Sequence, residues 1–124
     1  MRKETSTNNQ NRQALEEFCG MVYTYNLISG RWKMLILYKL EKGSMRYHQL
    51  KQKMPNITER MLTLQLKELE KDGLVTRTVH PDVPVQVSYA LTESAKLLSP
   101  VWHAMEKWGD ARRQQDKTKP LIAT

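Results

Sequence analysis

The chain has 124 residues and a mass of 14.6 kDa, enough for one compact domain and too little for a catalytic domain beside a regulatory one. Hydrophobic residues at 40% and charged residues at 27% supply a core and exclude bulk disorder. Twenty Lys and Arg against thirteen Asp and Glu give a net charge of +7 and a pI near 9.6, which favours a polyanionic partner over an enzyme for acidic substrates or an inert scaffold.

The opening is rich in Asn, Gln, Ser and Thr, and residues 1–10 read as a flexible tail. From about Asn11 to Ile28 the chain is compatible with one or two short helices, interrupted at Cys19-Gly20, because glycine costs up to about 1 kcal/mol in a helix interior. The segment RWKMLILYKLEKG places Trp32, Leu35, Ile36 and Leu40 on one helical face and closes at Gly43. Met45, Arg46 and Tyr47 suffice only for an edge strand, and HQLKQKM makes a two-turn helix that Pro55 ends. Pro55-Asn56-Ile57 is a tight connection.

Thr58 is a suitable N-cap for a helix over Thr58–Asp72, in which Leu62, Leu66 and Leu69 repeat at helical spacing and Gly73 supplies the stop. Next, LVTRTVH alternates Val75 and Val79 around Arg77, PDVP makes a stiff turn, and VQVSYALT alternates Val85, Val87, Tyr89 and Leu91. The two runs predict a β-hairpin with an exposed turn. A long helix from Glu93 to about Arg113, kinked at Pro100, carries the stripe Leu98, Val101, Trp102, Met105 and Trp108, broader than a lone terminal helix needs. Residues 114–124 read as a second flexible tail, leaving 11–113 as the folded domain.

The longest apolar stretch, Met34–Tyr38, is five residues, far short of the roughly twenty that cross a bilayer. The first thirteen residues hold no apolar core after Met1, so no secretory signal is expected and the cytoplasm is the expected location. The single cysteine, Cys19, excludes an intramolecular disulfide and any Cys-pair metal motif. His48, His80 and His103 lack ligand spacing, so neither metal nor other cofactor is expected. No phosphate loop, nucleophile elbow or HExxH motif is present, and an enzyme reading has no residues to carry it.

Helix, short strand, short helix, tight turn, capped helix and hairpin is the order of a winged helix-turn-helix, whose second helix enters the major groove of DNA. The fold class is therefore mainly α with a small β-hairpin. Residues 31–80 hold eleven basic against five acidic side chains, so the basic surplus coincides with this motif. With about 100° per residue, Leu66 and Leu69 fall within about 40° of Leu62, while Arg60, Thr63, Leu64, Lys67 and Lys71 occupy the opposite half. On that candidate reading face Arg60 can fork to guanine or phosphate, Thr63 can bond a phosphate or a base edge, and Leu64 can touch a thymine methyl. Taken alone, the same residues also suit an ordinary solvated helix face. The hairpin tip, His80-Pro81-Asp82-Val83-Pro84, would be the wing. Asp82 would repel phosphate there, so contact is expected from Arg77, His80 or Gln86.

Several segments in order then resemble the HxlR-type transcriptional regulators. They are Gly30-Arg31-Trp32, Arg46-Tyr47-His48-Gln49-Leu50, Pro55-Asn56-Ile57-Thr58-Glu59-Arg60-Met61-Leu62-Thr63, Leu66 through Val75, Val83-Pro84, Val87-Ser88-Tyr89-Ala90-Leu91-Thr92 and Trp108. The likeness spans about residues 19–109. It implies a bacterial, DNA-binding homodimer joined through its N- and C-terminal helices, a repressor rather than an activator. From the helix face and the wing, the expected DNA-binding set is Thr58, Glu59, Arg60, Thr63, Leu64, Lys67, Arg77, His80 and Gln86. Leu98, Val101, Trp102, Met105 and Trp108 would line the dimer interface. The chain departs from the family's usual Cys-Pro at Cys19-Gly20, from Gly at Ala95, from a polar residue at Leu64 and from Phe at Tyr47, the last a conservative change.

Some members of that family use the equivalent cysteine to sense oxidants or electrophiles, which makes Cys19 a candidate redox sensor. Its thiolate would be opposed by Glu16 and Glu17 and favoured by a helix beginning at Gly20. A small buried residue at the dimer contact is the competing role. The expected partners are double-stranded DNA and a second copy of the chain, with the inducer unknown and no membrane. The alternative is a winged-helix protein-interaction module without DNA binding.

Overall fold

In the computed structural model, which describes residues 7–118, the stripe of Leu62, Leu66 and Leu69 lies fully inside a core that the other elements enclose. The order is α1 (Thr7–Phe18), α2 (Gly20–Ile28), α3 (Lys33–Leu40), β1 (Met45–Arg46), α4 (Tyr47–Gln52), α5 (Glu59–Lys71), β2 (Val75–His80), β3 (Gln86–Leu91), α6 (Glu93–Lys96) and α7 (Ser99–Thr118). The three strands form one antiparallel sheet with β3 between β1 and β2. This is the winged helix expected from the order of elements: α3, α4 and α5 make its helical part and β2–β3 its wing.

The helix break at Cys19 is observed, with that residue in extended backbone between α1 and α2. α1 starts at Thr7, inside the segment read as a tail. Its exposed side chains are held by an i,i+4 pair, Arg12–Glu16 at 3.3 Å, and by Asn26 Nδ2 of α2, which donates to Glu16 Oε2 at 2.8 Å. α7 likewise runs past residue 113 to Thr118, with Arg113–Asp110 and Arg112–Asp116 ion pairs on its surface. Residues 1–6 and 119–124, the remainder of both expected tails, lie outside the described residues.

α3 buries Ile36, Leu37 and Leu40, whereas Trp32 and Leu35 are only half-buried. The expected face is rotated because α3 packs against α5, β3 and α7 at once, so its buried arc is set by three neighbours instead of one stripe. At the turn before α5, Asn56 takes the left-handed conformation with φ 59°, which a short amide side chain tolerates, and Met54 and Ile57 plug the core on either side.

Both ends of α5 are closed by local chemistry. Thr58 Oγ1 accepts from the Met61 N–H at 3.0 Å, the N-cap predicted. At the other end Gly73, with φ +74°, lets its N–H reach the Glu70 carbonyl at 3.0 Å and the Leu74 N–H reach the Leu69 carbonyl at 2.9 Å, the paired bonds of a Schellman stop. Thr92 Oγ1 donates to the Gly73 carbonyl at 2.7 Å while accepting from the Ala95 N–H at 3.1 Å. One hydroxyl therefore ties the end of α5 to the foot of the wing and to the start of α6.

The hairpin pairs Val75 with Leu91, Arg77 with Tyr89 and Val79 with Val87. Val75, Tyr89 and Leu91 are buried at its root, whereas Val79 and Val85 are exposed and Val85 precedes β3. The alternation fails at the tip because the wing projects past the helices, leaving its distal valines nothing to pack on. The Val83–Pro84 bond at that tip is cis.

The single kinked helix expected over Glu93–Arg113 is instead two, separated at Leu97–Leu98. Pro100 sits in the first turn of α7, where its missing N–H breaks no helical bond. Trp102 corrects a further expectation. It is 3% exposed in the core of its own chain and its Nε1–H donates to Glu41 Oε1 at 3.2 Å, so it faces α3 and is not available to a partner. Leu98 is partly buried against the same core, while Val101, Met105 and Trp108 stay exposed.

Candidate nucleic-acid interface

Opposite its buried leucines, α5 presents Arg60, Thr63, Leu64, Lys67 and Lys71 to solvent. Glu59, Arg60, Thr63, Leu64 and Lys67 line an open groove of about 630 Å³ whose further wall is Tyr47, the first residue of α4. A second groove of about 360 Å³ shares Tyr47 and Thr63 and continues over His48 to Val85, Gln86, Val87 and Tyr89. The helix face and the wing thus form one surface joined at Tyr47 and Thr63.

The Tyr47 hydroxyl lies 3.2 Å from the Glu59 carbonyl oxygen and 3.2 Å from Thr63 Oγ1. Replacing a phenyl ring by a phenol here is therefore not a neutral change, since the added hydroxyl meets α5 twice. Thr58 is exposed, but its hydroxyl oxygen is engaged in the cap. On the wing, Gln86 Oε1 accepts a hydrogen bond from Arg46 Nη1, and His80 Nε2 is 2.8 Å from Ser88 Oγ. Arg77 is exposed on β2 but lines neither groove, and neither does His80.

Sequence reasoning omitted Arg46, Tyr47 and His48 from this surface. Arg46 is placed opposite Ser88 by the β1–β3 register, which brings an exposed guanidinium beside Gln86. Only strand pairing reveals that proximity; the cationic residue just ahead of a polar helix start was the available signal.

Cys19 is half-buried at the N-cap position of α2. Its N–H donates to the Leu15 carbonyl at 2.9 Å and its carbonyl accepts from the Tyr23 N–H at 3.1 Å, so one residue closes α1 and opens α2. Among the described residues no group of three or more His, Cys, Asp or Glu is placed to hold a metal ion, and no helix is long and apolar enough to cross a membrane.

Residues 27–117 match the HxlR-like helix-turn-helix family. The chain belongs to that family. Among its relatives, the HTH-type transcriptional regulator YybR of Bacillus subtilis strain 168 is 42% identical over 98 residues, covering 79% of this chain and 78% of YybR. The redox regulator HypR in its reduced form superposes with a TM-score of 0.75 at 39% identity, covering 82% of this chain and all of the HypR chain. The reduced transcriptional regulator YodB of B. subtilis superposes with a TM-score of 0.65 at 36% identity, covering 74% and 91% of the two chains. The HxlR-like match begins at Leu27, so α1 and Cys19 lie ahead of it.

Proposed function

We propose that this HxlR-like chain is a sequence-specific DNA-binding transcriptional regulator that acts as a repressor in the cytoplasm. The observation that carries the reading is the basic face of α5, Arg60, Thr63, Leu64 and Lys67, joined through Tyr47 to the wing. α5 enters the major groove with Arg60 and Thr63 on base edges and Lys67 on phosphate, while Arg77, His80, Gln86 and the added Arg46 serve the wing. The exposed Arg60, Lys67 and Lys71 favour a polyanion over the protein surface that a non-DNA-binding module would need.

The regulator works as a homodimer. α1 buries none of its residues, and Phe18, Met21, Met105 and Trp108 are exposed apolar side chains on α1, α2 and α7. A helix without a buried face is marginal in water, and this surface is what a second copy would cover. The likeness to the redox regulator HypR supports a response to oxidants, and Cys19, the chain's single thiol, is the group we assign to it, with electrophiles as a second class of reagent.

Pull-down of fragmented genomic DNA followed by sequencing tests the reading. Recovery of a small set of near-palindromic sites is expected; recovery no different from input DNA overturns it.

A further inference from the structure

The two contacts of the Tyr47 hydroxyl fix where hydrogens lie on the recognition face. A carbonyl oxygen only accepts, and a phenol carries one hydrogen. The Glu59 carbonyl and Thr63 Oγ1, each 3.2 Å from that hydroxyl, are both hydrogen-bonded in one arrangement only: Tyr47 donates to Glu59, and Thr63 donates to Tyr47. The reverse assignment to Thr63 would set phenol and carbonyl lone pairs against each other. In the consistent arrangement the Thr63 hydrogen is spent inside the protein, and what its exposed oxygen offers the groove is lone pairs.

We infer that Tyr47 is a specificity-determining residue that holds Thr63 as a hydrogen-bond acceptor, so that Thr63 selects a base presenting an amino donor in the major groove. An unconstrained threonine hydroxyl rotates and serves as donor or acceptor alike, which discriminates little. Held by Tyr47, it accepts from adenine N6 or cytosine N4 and meets guanine O6 or thymine O4 lone pair to lone pair. The same constraint disfavours a phosphate oxygen, so it places Thr63 on a base edge and not on the backbone. This inference rests on the DNA-binding reading above.

The test is selection of bound duplexes from a randomised pool, with sequencing, for wild type, Tyr47→Phe, Thr63→Val and the double variant, each checked for folding by thermal unfolding. Wild type is expected to favour adenine or cytosine at one position of each half-site by about fivefold, the ratio set by one net hydrogen bond. Tyr47→Phe should flatten that position alone. Thr63→Val should flatten the same position, a result that stands even if Tyr47→Phe folds poorly, and combining the two should change nothing further. A Tyr47→Phe profile identical to wild type, or a loss spread evenly over all positions, overturns the inference while leaving DNA binding intact. Absence of any sequence preference in wild type overturns the DNA-reading proposal with it.

Discussion

The Tyr38 hydroxyl donates to Glu106 Oε2 at 2.7 Å, joining α3 of the helix-turn-helix to α7. One turn further along α3, just past its end, Glu41 accepts from His103 Nε2 at 2.7 Å and from Trp102 Nε1 at 3.2 Å. These contacts clasp the proposed DNA-binding half to the proposed dimerisation helix, and both of its ends titrate. The hydrogen bond from His103, helped by that from Trp102, holds the Glu41 carboxyl below its ordinary value, whereas the bond to Glu106 and its charge push the Tyr38 phenol above its own.

The signs differ for the two groups. A lowered carboxylate stabilises the fold above its ordinary value, and that contribution is lost as pH falls through the lowered folded value. A raised phenol stabilises the fold fully below its ordinary value, and that contribution is lost as pH rises through the raised folded value. Melting temperature measured across pH should therefore fall at both extremes, with Glu41→Gln flattening the acid limb and Tyr38→Phe the alkaline limb. Curves for both variants that follow wild type throughout would show that the clasp adds nothing.

On the recognition face, Arg60→Ala is predicted to weaken specific DNA binding by roughly 1–3 kcal/mol and to relax preference at one position of each half-site. Lys67→Ala should weaken operator and scrambled duplexes about equally and lower the salt dependence of binding. Titrations of both duplexes at several salt concentrations separate the two roles. Equal losses from both variants on both duplexes would remove Arg60 from base reading.

The helix-turn-helix was legible because its signals are local. Leu62, Leu66 and Leu69 declare a buried stripe within three turns, and Thr58 and Gly73 mark the ends of α5 by residue type alone. What was misread depends on neighbours distant in sequence. A stripe on α7 does not say which of its residues meets the chain's own core, so Trp102 looked like Met105 until α3 was placed beside it. Val79 and Val85 alternate like core residues, but the helices stop short of them. Tyr47 resembled a conservative replacement because the contacts of its hydroxyl reach Glu59 and Thr63, 12 and 16 residues away.

A homodimer is predicted from the exposed apolar side chains of the terminal helices. A groove of about 460 Å³ between α2, α3 and α7, lined by Met21, Tyr25, Ile28, Met34, Val101 and Met105, adds to the surface a partner would cover. Sedimentation should give twice the 14.6 kDa chain mass, and Met105→Asp should shift the species toward monomer and weaken operator binding together. Half-sites would then be spaced by about one helical turn, roughly 34–36 Å. A wild-type species that stays at the chain mass at micromolar concentration contradicts the assembly.

The last prediction concerns Cys19. With one thiol per chain, an oxidant cannot close a disulfide within the chain, so it acts on Cys19 by joining two subunits or by leaving a mixed disulfide, an adduct or an oxidised sulfur on one subunit. The position suits transmission. Cys19 contributes the last N–H bond of α1 and the first carbonyl bond of α2, so displacing it disturbs both helices. α1 has no buried residue to resist, and α2 meets the core at its end only, through buried Ile28 and partly buried Leu27. Beyond Ile28 the chain enters α3, whose first residue Lys33 stands 2.9 Å from Glu68 of α5, so α3 connects the helix that follows Cys19 to the proposed recognition helix. Joining two copies requires their Cα atoms within about 7 Å, so a larger separation leaves the adduct as the route. Operator affinity and non-reducing electrophoresis, before and after diamide or a quinone, decide the matter for wild type and Cys19→Ser. Wild type should change affinity and the serine variant should not, with a doubled band for a cross-link and a monomer band for an adduct. If the oxidant alters neither protein, or both alike, Cys19 is a packing residue at the α1–α2 junction and the inducer acts elsewhere.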